Sequence, residues 1–297
     1  HPDNRVSPVQ RKLMTTGKNE NVFNIAIKGN FDDCQNLVKS MFADKKFSND
    51  IKMSGVNSIN WARIIAQSVY YFYSYLLVED TSKPTNFSVP TGNFGDIYAG
   101  FIAKKMGLPI NKLIIATNSN DILKRVIKTG IYKPDKVVQT VSPSMDIQVA
   151  SNFERLIFDV YSNDSDKILK LMNALKNKGE FTIEKDELDK IKENFNAESL
   201  SENETKLVIK EMYNSQNVLI DPHTAVAIGV ANKISLNGTT IILSTAHSAK
   251  FSNIVMKETN IKPELPESLK YILVEKEQYK KLPKDLKKVK SFILEKV

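Results

Sequence analysis

The 297-residue chain lacks several sequence features, and each absence excludes a class of protein. It contains one cysteine, Cys34, so an internal disulfide framework is excluded and a reducing cytosol is indicated. It has no apolar run approaching about 18 residues, so no membrane-spanning helix is predicted. It also has no charged-then-apolar segment of the kind that directs secretion. The hydrophobic content of 41% is sufficient for a large core or two lobes, so we expect a cytoplasmic globular protein.

The formal net charge is +8, which raises the question of nucleic acid binding. Lysines concentrate between residues 257 and 296, without the interleaved arginine and aromatic residues typical of a nucleic-acid surface. We therefore predict neither a nucleic-acid nor a membrane partner, and no metal site. The sequence leaves both a monomer and a homodimer open.

The stretch from residue 87 to residue 106 organises the rest of the chain. It is typical of a short buried strand, a tight turn and an apolar helix. We expect Gly92 and Gly95 in the turn to permit a close backbone approach and positive φ angles. In a parallel α/β sheet, such a corner presents free N–H groups and the positive end of a helix, where phosphate commonly binds. From these residues alone, an ordinary strand-to-helix turn is the alternative.

Strands and helices alternate along much of the chain. A strand over 111–117 and a helix over 122–128 continue the pattern, which predicts a parallel, doubly wound α/β sheet flanked by helices. Ligands of such sheets lie beyond the carboxyl ends of the strands. We interpret residues 1–50 as a remnant of a small α/β lobe and residues 51–297 as a large domain. That domain would include a charged helical insertion at about 163–217, packed outside the core, and a basic C-terminal helix.

The turn sequence from Pro90 to Asp96 resembles the cofactor-phosphate loop of threonine synthases, which are pyridoxal phosphate (PLP) enzymes of fold type II. The resemblance implies the large domain of that fold. It also implies PLP as cofactor and conversion of O-phospho-L-homoserine and water to L-threonine and phosphate, the last step of threonine biosynthesis. Further segments resemble the family in the same order along the chain, at residues 31–35, 57–63, 142–147, 151–156 and 245–251.

The resemblance also implies which residues hold the cofactor. A hydroxyl at Thr245 would face the pyridine nitrogen of PLP and leave that nitrogen unprotonated. We expect the Asp96 carboxylate to cap the helix and point away from the phosphate. The predicted cofactor-binding residues are Gly92, Asn93, Phe94, Gly95, Asp96 and Thr245.

A second phosphate site is predicted at the start of a long apolar helix that follows residue 57. A hydroxyl, an amide and a guanidinium converging at a helix start suit a dianionic phosphate. From the residues alone, a helix cap plus a surface arginine is the alternative. In threonine synthases the matching residues hold the substrate phosphate, which implies that role for Asn57, Ser58 and Arg63. Asn60 is a weaker candidate.

The resemblance places the family's Schiff-base lysine upstream of every segment matched here, and Lys250 is not a candidate for it. No catalytic residue is therefore assigned within residues 1–297, and we interpret them as a C-terminal portion that is inactive alone. His223 begins a helix and is expected to cap or pack. Two alternatives stay open: a threonine-synthase-like phospho-lyase for another phosphorylated amino acid, and a non-catalytic phosphate- or PLP-binding module.

Overall fold

The computed structural model describes residues 1–57 and 60–297, with the backbone alone at residues 31 and 32. In chain order the elements are α1 (Pro8–Thr15), β1 (Ile25–Lys28), α2 (Phe31–Ala43), α3 (Lys45–Asp50), α4 (Trp61–Leu76), β2 (Thr85–Pro90), α5 (Gly95–Lys105), β3 (Ile110–Thr117), α6 (Ile122–Thr129), β4 (Ile131–Tyr132), α7 (Phe153–Val160), α8 (Ser165–Lys178), β5 (Phe181–Thr182), α9 (Lys185–Asn194), β6 (Phe195–Ser199), α10 (Glu202–Gln216), α11 (Pro222–Lys233), β7 (Thr239–Ile242), α12 (Ser252–Thr259), β8 (Lys280–Pro283) and α13 (Leu286–Leu294). Short 3-10 turns cover Pro143–Met145, Ser248–Phe251 and Glu267–Leu273.

A four-stranded parallel sheet in the order β6-β3-β2-β7 is the centre of the molecule's larger part. Side chains of β3 alternate between its two faces, as the pleat requires. Leu113 and Ile115 pack into one hydrophobic cluster with residues of α4 to α7, while Ile114 and Ala116 pack into a second cluster with α10 and α11. Both faces are covered by helices, so the predicted doubly wound α/β fold is confirmed.

The strand order changes direction beside β2. The chain runs from β2 to β3 and on to β6 at one side, whereas β7 pairs with the other side of β2. In open α/β sheets this reversal leaves a crevice at the carboxyl ends of the two strands that flank it. The turn after β2 and the segment after β7 therefore begin at the same edge of the sheet.

Helix α4 packs closely on α5 through one glycine. A Cβ on Gly100 would lie 2.3 Å from the ring of Tyr71, which is fully buried. The absence of that Cβ lets Tyr71 reach the first turn of α5. Ile64 and Ser68 are the other buried residues on this face of α4.

The chain forms two compact units. The first comprises residues 1–55, 249–251 and 263–297, and the second comprises residues 56–248 and 252–262. The sequence-based assignment of the C-terminal helix to the large domain was wrong. Strand β8 pairs in parallel with β1 in the first unit, and Val289 of α13 packs into a cluster with Ile27, Met41 and Phe47.

The predicted helical insertion at 163–217 also needs correction. It contains α8, α9 and α10, but β6 is an edge strand of the main sheet, with Phe195 opposite Leu113 of β3. Phe195 and Ile191 are buried in the principal cluster. This part of the chain therefore completes the core instead of lying outside it.

Among the described residues, no helix has the length and apolar character needed to cross a membrane. Within the same residues, no group of three or more histidine, cysteine or acidic side chains is arranged to hold a metal ion.

Candidate phosphate and cofactor site

The turn between β2 and α5 is shaped by a phenylalanine. Phe94 is the N-cap of α5 and has a left-handed φ of 68°, whereas Gly92 and Gly95 do not have positive φ. The prediction of positive φ at the two glycines was therefore wrong. A left-handed non-glycine residue costs about 1–2 kcal/mol, and the buried Phe94 ring offsets this by packing against Phe153 at 5.2 Å and Phe195 at 5.8 Å between ring centres.

Gly92 does allow a close approach, but to another part of the chain. A Cβ there would lie 2.9 Å from the carbonyl oxygen of Ser144 and 3.0 Å from the Cα of Met145. These residues belong to the 3-10 turn Pro143–Met145. This 3-10 turn therefore packs backbone against backbone on the predicted phosphate loop, residues 90–96.

The first turn of α5 has backbone donors available to an anion. The Asn93 Oδ1 accepts from the N–H of Gly95 at 2.8 Å, and Phe94 supplies no side-chain cap. The N–H groups of Asp96 and Ile97 have no hydrogen-bond acceptor in the described parts of the chain. Unsatisfied N–H groups and the positive end of the helix dipole together fit a phosphate.

Asp96 binds α4 instead of capping its own helix. The Tyr71 hydroxyl donates to the Asp96 carbonyl at 2.8 Å and lies 3.2 Å from its Oδ1. Burial raises the pKa of Asp96 to about 6, and the bond from Tyr71 opposes part of this rise. Burial also raises the pKa of Tyr71 well above its ordinary value. The expectation that Asp96 caps the helix was wrong, because Gly100 lets Tyr71 come within reach.

The carbonyl of Asn93 is held from α7. The backbone N–H of Asn152 donates to it at 3.0 Å, and the Asn152 side-chain amide donates to it at 3.2 Å. Asn152 is fully buried, whereas Asn93 is exposed. No role was predicted for Asn152 from the sequence, where its only signal is its place in a segment that resembles the family.

Thr245 comes to the same edge of the sheet. It lies three residues beyond the end of β7, and the N–H of Leu243 donates to the Ser88 carbonyl of β2 at 3.0 Å. Thr245 is exposed, and no hydrogen bond to its hydroxyl is found among the residues described. The structure thus brings together the two predicted cofactor segments, which are about 150 residues apart in the chain.

The predicted substrate-phosphate residues lie at the start of α4. Asn60 is the N-cap, with its Oδ1 accepting from the N–H of Ala62 at 3.0 Å. The carbonyl of Asn57 accepts from the N–H of Asn60 at 3.0 Å, so Asn57 belongs to the preceding turn. Arg63 is exposed in the first turn of the helix. Ser58 lies outside the described residues.

Both ring nitrogens of His223 have hydrogen-bond partners within the fold. Its Nδ1 lies 2.8 Å from the buried Asp221 carboxylate, and its Nε2 accepts from the N–H of Ser144 at 3.3 Å. Asp221 also accepts hydrogen bonds from the Thr224 hydroxyl and, at 2.9 Å, from the N–H of His223. His223 therefore ties α11 to the turn that supports Gly92.

Comparisons with known proteins find similar sequences and similar overall folds. A family model described as threonine synthase, C-terminal, matches residues 224–293. Threonine synthase of Pseudomonas aeruginosa is 44% identical over 99% of the chain and 63% of its own length. A crystal structure of PLP-bound threonine synthase from Brucella melitensis has a TM-score of 0.95 at 45% identity, and covers 99% of this chain and 64% of that one. The yeast threonine synthase structure has a TM-score of 0.90 at 40% identity, with 99% and 63% covered.

The chain thus spans somewhat less than two thirds of the length of these relatives. The agreement in sequence and fold runs through both compact units, from the first residues to the last helix. The resemblance recognised from the sequence motifs is confirmed: along nearly its whole length, this chain is similar to part of the threonine synthases.

Proposed function

We propose that this chain forms the part of a PLP-dependent threonine synthase that holds the cofactor and the phosphate of the substrate. One observation supports the proposal: the unsatisfied N–H groups of Asp96 and Ile97 and the exposed hydroxyl of Thr245 follow the carboxyl ends of the neighbouring parallel strands β2 and β7. The similarity to threonine synthases, one of them PLP-bound, supports PLP as the source of the anion.

Bound PLP would withdraw electrons from a substrate amino acid and so ease loss of its protons and of its phosphate group. The chain's own residues prepare the crevice for it. The first turn of α5 would hold the cofactor phosphate through the N–H groups of Asp96 and Ile97, and the neighbouring residues Gly92 to Gly95 shape the loop. Thr245 would offer a neutral hydroxyl to the ring nitrogen, which leaves that nitrogen unprotonated.

The substrate's phosphate would be recognised at the start of α4. Arg63 is exposed there and can give two parallel hydrogen bonds to phosphate oxygens. Asn57 lies in the turn immediately before the helix, and Ser58 is proposed with it from the family resemblance. The substrate we propose is O-phospho-L-homoserine, with water as the second reactant and L-threonine and phosphate as the products.

We expect residues 1–297 alone to bind PLP without turning over substrate, because the family's Schiff-base lysine is predicted upstream. The cytoplasmic location indicated by the single cysteine stays a prediction. The alternatives of a phospho-lyase for another substrate and of a non-catalytic module are outcomes of the tests below.

The first test is an absorbance titration of the purified chain with PLP, before and after borohydride reduction, with mass spectrometry. Saturable binding without a fixed adduct supports the proposal, and absence of binding contradicts the cofactor site. A borohydride-fixed adduct at a single lysine would contradict the assignment of that lysine upstream.

Variants locate the bound cofactor. Thr245→Val removes the hydroxyl at constant shape and should change the absorption of the bound ring, with little change in affinity. Thr240→Val on β7 is the matched control and should leave the absorption unchanged. A substrate panel with the protein extended by an upstream segment then separates threonine synthase from a phospho-lyase of other specificity. Restored turnover of phosphohomoserine would exclude the non-catalytic module.

A further inference from the structure

Two side chains at the start of α7 contact the predicted phosphate loop and the first residue of α4. Asn152, immediately before the helix, holds the Asn93 carbonyl of the phosphate loop with two N–H groups. Its Oδ1 accepts from the Nε of Arg155 at 2.9 Å. The Arg155 guanidinium in turn lies over the indole of Trp61, 5.6 Å from the ring centre. A continuous chain of contacts therefore runs from the phosphate loop to the first residue of α4.

The start of α4 has a second support on α5. The ring of Tyr98 meets the indole of Trp61 edge-on at 6.3 Å, and the Tyr98 hydroxyl donates to Asp159 of α7 at 2.6 Å. Trp61 is thus held between α7 and α5, two residues before Arg63. Both supports belong to the same compact unit as the phosphate loop.

We propose that Arg155, together with Asn152, is a positioning pair that fixes the start of α4 relative to the phosphate loop. The pair would set the separation between the cofactor phosphate and the substrate phosphate, and would couple the binding of an anion at the loop to the order of residues 60–64. The identity of the two ligands rests on the proposed function. The coupling itself rests on the contacts between α7, the loop and α4.

The chemistry of arginine suits this task better than that of lysine. A planar guanidinium can donate from one edge to the Asn152 amide oxygen while its face lies against an indole. A lysine ammonium would keep a positive charge near both sites. It could not donate to Asn152 and also lay a planar face against the indole of Trp61. Arg155→Lys therefore separates positioning from electrostatic attraction.

The experiment uses hydrogen exchange on residues 1–297, with and without saturating PLP. In the wild type we expect PLP to protect peptides covering 91–97 and also 60–64. In Arg155→Ala and Arg155→Lys, the protection at 60–64 should be lost while the protection at 91–97 remains. The matched control is Glu154→Gln, an exposed neighbour on the same helix, which should behave as the wild type.

Fluorescence gives an independent reading, because Trp61 is the protein's single tryptophan. Removal of the overlying cation should shift the Trp61 emission before any ligand is added. The affinity for PLP should fall roughly tenfold in Asn152→Ala, which corresponds to loss of hydrogen bonds worth about 1.4 kcal/mol. It should fall less in Arg155→Ala, because Asn152 still holds the loop.

The outcomes separate the two proposals. If the wild type binds no PLP, the proposed cofactor site fails, and the positioning pair is judged by exchange at 60–64 in unliganded Arg155→Ala. Faster exchange at 60–64, with unchanged exchange in α10, supports the pair, and unchanged exchange at 60–64 overturns it. If PLP binds and Arg155→Ala still transmits protection to 60–64, the coupling is overturned. Uniformly faster exchange in the whole of the variant would also overturn it, because that result indicates general destabilisation.

Discussion

Replacing Asp96 by asparagine should stabilise the protein at neutral pH. Burial raises the pKa of this carboxyl from about 3.8 to about 6, so folding disfavours its ionised form. Below pH 3.8 the carboxyl is protonated in both states and has no effect on stability. Between pH 3.8 and 6 the unfolded chain loses the proton first, so the stability of the wild type falls as pH rises. Above pH 6 the ionised Asp96 lowers the free energy of unfolding by about 3 kcal/mol.

Asparagine is neutral at every pH and can still accept a hydrogen bond from Tyr71. The difference in unfolding free energy between Asp96→Asn and the wild type should therefore grow in favour of the variant as pH rises. About 2 of the 3 kcal/mol should appear between pH 4.5 and pH 8. Urea unfolding followed by the fluorescence of Trp61, which lies in the same compact unit, measures this difference without ligand.

Asp80 is the control, because its pKa is shifted in the opposite direction to that of Asp96. It is exposed, and the Ser82 hydroxyl and then Lys83 hold its pKa below the ordinary range. Asp80→Asn should therefore be the less stable protein at neutral pH, and its deficit should shrink as pH falls through the pKa of the folded state. A difference between Asp96→Asn and the wild type that is equal at pH 4.5 and pH 8 would refute the reasoning, because ionisation would then carry no cost.

Two further predictions concern the support of the phosphate loop. Gly92→Ala should lower the free energy of unfolding by about 1–3 kcal/mol and weaken PLP binding, because its Cβ would lie 2.9 Å from the Ser144 carbonyl oxygen. The control is Gly17→Ala, whose Cβ has no neighbour within 4 Å. Thermal unfolding and PLP titration should show almost no change in this control. His223→Ala should lower the free energy of unfolding by about 1–3 kcal/mol, because it removes a hydrogen-bond partner from buried Asp221 and from the N–H of Ser144. Catalysis by His223 would instead appear as lost turnover in the extended protein at unchanged stability and PLP affinity.

The central strands and their helices could be predicted because local signals and the final fold agree there. The apolar run of β3 is a buried parallel strand, and the Asp221–Pro222 pair starts α11 where a cap and a first-turn proline are expected. The turn between β2 and α5 was located for the same reason. Its conformation was not, because the left-handed residue is Phe94 and the packing that stabilises it comes from residues 153 and 195.

Other features were also not predicted because contacts between residues distant in the sequence determine them. Residues 195–199 have no β-branched side chains, and they form a strand because they pair with the edge of β3. Helix α4 has apolar residues on several sides, so its pattern predicts a helix but not the buried face that Tyr71 shares with Gly100. The pairing of β1 with β8 joins Ile25 to Lys280, a separation that no local pattern indicates.

The position of Thr245 relative to the predicted phosphate loop depends on the register of β2 and β7 more than on the conformation of the loop. Ser88 of β2 lies opposite Ile242 of β7, and the Ser88 hydroxyl donates to the Ala227 carbonyl of α11 at 2.7 Å. A slip of one residue would move Thr245 by about 3.3 Å along the sheet and turn alternate side chains of β7 to the opposite face. The buried bond from Ser88 to α11 opposes such movement of β2. The relation between Thr245 and the phosphate loop is therefore set within the sheet, and α7 and α11 keep the loop in place around it.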